Sequence, residues 1–397
     1  MEFGRLAMLR VTLSTDRDRR AESSTPAASD RTDAQSRTTE ESLRAALIKN
    51  APAREISALR PRPGEDNLRA AYLELLKLCL CDLAGARTLS VHRTGNTRRF
   101  DSPVFSRELD PEELPLRAMG GDWPFSGMTM VGLSRLDDLQ ACVESVVADQ
   151  VEGDVIEAGT WRGGASILAR ATLDSLGADE RTVWVADSFE GLPAPDLDAF
   201  PEDKELDLSR IDFLAVPPEE VRSHFARFGC EHGIELVEGL FDETLPSLRE
   251  RRWAVVRLDG DTYEATWVGL ESLYPGLSAG GYLIVDDYVL LEECRRAVDE
   301  YRSQHGITEP IEKVDWTGIR WRRESEPVPT ATSEGPVRRT GREQGSTSPE
   351  KRRARPAIPT RRELELEREL ADLRERLGAS EEELERVRSS ARRGIDR

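Results

Sequence analysis

The sequence predicts an α/β protein built on a doubly wound, mostly parallel sheet, with a helical N-terminal cover in front and a heptad-patterned helix behind. Three observations lead there. Between residues 136 and 323, short β-branched runs alternate with helical stretches; a Gly-rich turn joins the first run directly to a helix; and both flanks lose their large apolar side chains. Alternating β and α units with apolar strands imply a parallel sheet covered on both faces.

Taken in chain order, residues 12 to about 40 are Ser, Thr, Asp, Arg and Ala, with almost nothing to offset the entropy of ordering, so 1–40 reads as a disordered leader. Leu68, Tyr72, Leu75, Leu76, Cys79 and Leu83 recur at helical spacing and predict a helix ending near Gly85. Residues 88–127 mix Arg, Pro and Gly with scattered aromatics, and read as an irregular, mobile segment of the N-terminal unit 41–135. A helix over Leu136 to Val147 opens the catalytic unit 136–323. It is followed by strands at Asp154–Ala158, Val183–Ala186, Ile234–Val237, Trp253–Leu258 and Tyr282–Val285. Helices are expected after the first strand to Leu176, over Pro218–Phe228, up to Tyr274 and from Leu290, and Ile311–Asp315 with Ile319–Arg322 reads as a closing hairpin. Beyond it, 324–362 is a linker whose stretch 336–362 holds nine Lys and Arg against two Glu. Leu366, Leu370, Leu373, Leu377, Leu384 and Val387 then alternate spacings of four and three, which predicts a short coiled-coil helix over 363–390 that would aid formation of a homo-oligomer.

A formal net charge of −19 argues against a nucleic-acid coat or an anionic-membrane binder, so neither is expected as a partner. No apolar run reaches bilayer length and the N-terminal Leu6–Leu9 is too short for a signal peptide. Five Cys without a CxxC pair read as reduced thiols, and the expected location is cytoplasmic.

The turn Glu157-Ala158-Gly159-Thr160-Trp161-Arg162-Gly163-Gly164 lacks both the Lys-Ser/Thr of a P-loop and the GxGxxG spacing of a dinucleotide fold. Glu157 would repel a pyrophosphate and suits a cationic ligand, while Asp187, 28 residues after Gly159, can accept from ribose hydroxyls. This pairing favours S-adenosylmethionine over NAD. At the next strand ends, Asp259-Gly260-Asp261 and Asp286-Asp287 would converge at the same sheet edge, where carboxylates repel unless a cation lies between them. Oxygen ligands without His or Cys point to Mg²⁺, and an EF-hand fails because the position where that loop needs Gly is Glu264. Solvated acidic loops are the alternative. Mg²⁺ beside a methyl donor would activate a weakly acidic hydroxyl, with Asp261 as the candidate base.

The blocks Met128-Thr129-Met130-Val131-Gly132, Val155 to Gly164, Ala186-Asp187-Ser188-Phe189-Glu190-Gly191, Glu238 to Pro246, Arg257 to Glu264 and Gly280 to Tyr288 resemble the macrocin and mycinamicin sugar O-methyltransferase family over about 68–323. The resemblance implies a seven-stranded class I methyltransferase fold, S-adenosylmethionine as donor, Mg²⁺ on Asp259, Asp286 and Asp287, and a glycosylated small molecule as acceptor. It further implies Glu157 and Gly159 at the methionine part, Asp187 and Ser188 at the ribose, Phe241 and Asp242 at the adenine, and Thr129 and Met130 in the cover. A catechol-like acceptor, or a scaffold without catalysis, are the readings weighed against it. Tyr263 and Trp267 are either core or sugar contacts. His224, His232 and His305 are expected at the surface, whereas His92, in the cover segment, is the histidine to test for catalysis.

Overall fold

In a computed structural model the structure describes residues 65–93 and 104–325, all within the first of two compact units, Met1–Ser333. The leader 1–40, most of the linker 324–362 and the heptad segment 363–390 lie outside the described residues.

Helix α1 (Glu65–Leu80) begins the described chain, and the hairpin β1 (Leu89–Arg93) and β2 (Val104–Glu108) follows. Part of the stretch read as irregular is therefore ordered pairing, and Phe125 and Val91 donate backbone N–H groups that add the segment around Pro124 to its edge. The hairpin escapes a periodicity reading because its buried positions include Thr88 and Ser90 rather than a run of apolar residues. After α2 (Leu114–Ala118), helix α3 (Gly132–Ala148) starts one turn earlier than expected.

From there the chain alternates. Strands β3 (Asp154–Ala158), β4 (Val183–Asp187), β5 (Ile234–Glu238), β6 (Trp253–Leu258) and β7 (Leu277–Val285) are joined through α4 (Gly164–Ser175), α5 (Pro218–Arg227), α6 (Phe241–Thr244) and α7 (Tyr263–Leu273). Helix α8 (Glu292–Gln304) leads to the antiparallel pair β8 (Glu312–Lys313) and β9 (Ile319–Arg322). The sheet has seven strands in the order β5-β4-β3-β6-β7-β9-β8, parallel from β5 to β7 and antiparallel at β9 and β8. Strand β7 begins five residues before Tyr282, and a register shift against β6 absorbs the extra length.

Period-two alternation divides the interior into two cores. Val155, Val255 and Ile284 face α3 and α4, while Ile156, Val256 and Leu283 face α7 and α8. Tyr263 and Trp267 belong to the second core, stacked at 5.8 Å with little exposure, which settles them as packing residues. The order reverses between β3 and β6, and open α/β sheets bind ligands at that crevice.

Candidate active site at the switch point

At the crevice the backbones of β3 and β6 nearly touch. Gly159 has φ +93°, and a Cβ there would sit 1.8 Å from the Asp259 carbonyl oxygen, so no other residue fits without moving a strand end. Trp161 and Asp261 also hold left-handed φ, 51° and 61°, a sparsely populated conformation for side chains of their kind that is often found at functional turns.

A cavity opens over this edge. Thr129, Met130, Glu157, Asp259, Asp261, Asp286 and Asp287 line it, so the structure brings together most of the expected methionine-side and metal-side residues. Asp187, Ser188, Phe241 and Asp242 sit beyond it, at the ends of β4 and β5. His92 falls in β1, and its side chain lies outside the described residues.

Glu157, expected to suit a cationic ligand, is buried and engaged: Arg257 Nη1 donates to it at 2.6 Å, Thr160 Oγ1 at 3.2 Å, and Ser166 Oγ also donates. Burial nevertheless pushes its carboxyl up to about 7. Asp187 accepts from the backbone N–H groups of Thr160, Trp161 and Phe189 at 2.9, 3.1 and 2.8 Å, which ties it to the Gly-rich turn; burial raises its carboxyl and these bonds work against the rise. Ser188 Oγ donates to the Gly191 carbonyl at 2.6 Å.

The carboxylates of Asp259, Asp286 and Asp287 present oxygens within 4.8 Å of one another. Two buried guanidinium groups answer them. Arg257 Nη1 also donates to Asp259 at 2.8 Å and its Nη2 to Asp286, while Arg135 Nη1 donates to the other oxygen of Asp286 and its Nε to Asp315 at 3.0 Å. With Glu157, Asp261 and Asp315 included, six carboxylates face two guanidinium groups. Burial first, then Asp259 and Asp286, pushes the Asp261 carboxyl up to about 8, and burial with Asp261 beside it drives Asp287 well above the usual range. Oδ2 of Asp287 is buried and meets no hydrogen-bond partner among the described residues. An orphaned carboxylate oxygen in an acid-rich, His- and Cys-free cluster suits a hard divalent cation such as Mg²⁺.

Trp123, Trp161 and Trp316 line the same cavity together with Leu208, Ile211 and Leu214. The sequence offered Trp123, with Phe125, as a ligand contact; the rest of this apolar wall was not anticipated, because it comes from the Gly-rich turn, the β4–α5 connection and the β8–β9 turn, far apart in the chain. Arg257 had a signal: it is the one charge inside the otherwise apolar run Trp253–Leu258. The histidine expectation needs correcting at His224, which is buried, with Nδ1 3.0 Å from the Arg162 carbonyl and its proton affinity lowered by burial. The face of α5 that carries it packs inward, toward the Gly-rich turn.

The seven-stranded order and the acid-rich switch point define a class I methyltransferase fold. The chain belongs to the macrocin O-methyltransferase (TylF) family, whose model matches residues 70–323. Its members are O-methyltransferases, and this chain is an S-adenosylmethionine-dependent O-methyltransferase of that fold. It is 45% identical over 259 residues to the 8-demethyl-8-(2,3-dimethoxy-α-L-rhamnosyl)-tetracenomycin-C 4′-O-methyltransferase of Streptomyces olivaceus, which covers 65% of this chain and 94% of that enzyme. It is 44% identical over 211 residues to the mycinamicin III 3″-O-methyltransferase of Micromonospora griseorubida, covering 52% of this chain and 83% of that enzyme. The solved structure of the O-methyltransferase NovP superposes with a TM-score of 0.57 at 37% identity, over 65% of this chain and all of NovP.

Proposed function

We propose that the enzyme methylates a sugar hydroxyl of a glycosylated small molecule, such as a macrolide-like secondary metabolite, with Mg²⁺ held by Asp259, Asp286 and Asp287. The observation that carries the metal reading is the buried, unpartnered Asp287 Oδ2 in a cavity shared with the Gly159 turn. When bound, Mg²⁺ supplies Lewis acidity that makes a weakly acidic hydroxyl easier to deprotonate. The sugar reading rests on the relatives, whose names specify sugar or natural-product hydroxyls.

The chain's own residues would then do the following. Thr129, Met130, Glu157 and Gly159 hold the methionine end of the donor, Asp187 and Ser188 the ribose, and Phe241 and Asp242 the adenine. Asp261, which lines the cavity two residues beyond Asp259, takes the acceptor proton in its ionised form as the C–O bond forms and the C–S bond breaks. The N-terminal segment, which already contributes Gly120, Asp122 and Trp123 to the cavity wall, acts as a cover that keeps water out. A catalytic part for His92 rests on its place in the β1–β2 hairpin. The three tryptophans that line the cavity favour a second reading, a flat catechol-like acceptor lying against aromatic rings.

A cytoplasmic location is the proposed one; among the described residues no disulfide joins the cysteines, and no helix is long and apolar enough to cross a membrane. A homo-oligomer aided by 363–390 is the proposed assembly, checked by sedimentation of the full chain against a chain ending at 330.

The function is tested by S-adenosylhomocysteine release with a panel of glycosides and their aglycones, with and without EDTA. Turnover confined to glycosides and abolished by chelation is expected. Undiminished turnover under chelation and in Asp286→Ala would end the metal reading, and equal turnover of the aglycones would end the sugar reading.

A further inference from the structure

Arg257 stands between the two halves of the site. Its side chain is only 3% exposed and reaches Glu157 on the cofactor side, at 2.6 Å, and Asp259 and Asp286 on the metal side. The strand ends it joins also touch through backbone, since Asp259 N–H donates to the Ala158 carbonyl at 2.9 Å and the Gly159 turn abuts the Asp259 carbonyl. We infer that Arg257 is a positioning residue that couples donor binding to metal binding: either ligand orders the Glu157–Arg257–Asp259/Asp286 bridge, and the second then meets a wall already in place.

The inference rests on the metal assignment above and adds a residue and a direction to it. Without a cation, one guanidinium is shared by three carboxylates. A divalent ion on Asp259 and Asp286 takes over part of their charge, so the guanidinium settles on Glu157 and fixes that side chain against Thr160 and Ser166 at the start of the Gly-rich turn and its helix. The ordering cost is met once for both ligands, which makes the coupling favourable, and linkage makes it reciprocal. Arg135 holds the other oxygen of Asp286 together with Asp315 and lies over the Trp316 ring at 6.0 Å; among the described residues it makes no ion pair with the cofactor turn, so it stabilises the metal side without carrying the coupling.

The test is calorimetric and uses S-adenosylhomocysteine, which lacks the sulfonium charge and so does not repel the ion directly. Its dissociation constant is measured on the full chain with saturating Mg²⁺ and with EDTA, and Mg²⁺ is titrated with and without S-adenosylhomocysteine. In the parent protein each ligand is expected to tighten the other by the same factor, about fivefold or more, the low end of typical couplings. In Arg257→Met the factor should fall below about twofold while both ligands still bind. Arg257→Lys keeps the charge but lacks the two-pronged reach, and should fall between. A factor of one in the parent protein overturns the inference whether or not any variant folds, as does a factor unchanged in a folded Arg257 variant. If Mg²⁺ gives no binding at all, the metal assignment fails and the inference falls with it; if Mg²⁺ binds and supports turnover without coupling, only the inference fails.

Discussion

At the end of β4, Asp187 receives three backbone N–H groups, whereas at the ends of β6 and β7 the acids of the cavity share two arginines and leave Asp287 Oδ2 without a partner. Both places put buried carboxylates at the same sheet edge. The first is satisfied by the fold itself, because a turn can aim amides at a carboxylate, and hydrogen bonds to the charged form offset its burial. The second is left acidic beyond what its counter-charges can balance, and its protons are held more tightly in consequence. A site finished by backbone suits an uncharged group such as a ribose, and a site left short of positive charge suits a cation.

The contrast can be broken most severely where the two regions meet. Gly159→Ala forces a Cβ against the Asp259 carbonyl and should cost several kcal/mol, roughly 3 or more, enough to prevent recovery of folded protein or to abolish S-adenosylhomocysteine binding, as read by denaturant unfolding and calorimetry. On the acidic side, Asp287→Ala is expected to lower turnover at least about 100-fold, since even groups supporting metal ligands cost 10–100-fold, and to remove the rise in melting temperature produced by Mg²⁺. A Mg²⁺-induced rise that persists in the variant would break the assignment of Asp287.

A gentler probe of the same side is pH. The folded Asp261 carboxyl, near 8 without metal, binds its proton more tightly than the unfolded chain, near 4, so the stability it lends is full below about 4 and is lost as pH rises through about 8. The melting temperature in EDTA should therefore decline across this window, and both Mg²⁺ and Asp261→Asn should flatten the decline. On the backbone-satisfied side, Asp187→Ala strands amides of the Gly-rich turn and should cost about 1–3 kcal/mol, with weaker S-adenosylhomocysteine binding but no change in the Mg²⁺ affinity measured without S-adenosylhomocysteine. Loss of that ligand-free Mg²⁺ affinity in the variant would show that Asp187 itself belongs to the metal side.

The strands were readable because a doubly covered sheet needs near-continuous apolar runs, and the five runs from Asp154–Ala158 to Tyr282–Val285 supply them in order. The β1–β2 hairpin was not, since the buried positions at its start, Thr88 just before β1 and Ser90 within it, are polar where a half-buried strand is expected to be apolar. The acids Asp259, Asp286 and Asp287 were placed by topology alone: residues at the C-terminal ends of parallel strands emerge together. What those acids touch was not readable. Arg135 arrives from α3, 151 residues away from the Asp286 it pairs with, and no local pattern announces such a partner. His224, held to the Arg162 carbonyl, and Glu157, held by Arg257 as well as by its own turn, teach the same lesson, each with a partner that its own segment does not contain.

By itself, then, the sequence determined the fold class, the position of the ligand edge and the kind of residue found there, because periodicity and strand-end placement are local properties of the chain. Tertiary structure alone decided which carboxylates are satisfied and which are left short, which strand backbone forbids a side chain at Gly159, and which tryptophans line the cavity. Those outcomes depend on distances between segments far apart in the chain, and charge balance in a buried site is set by such distances.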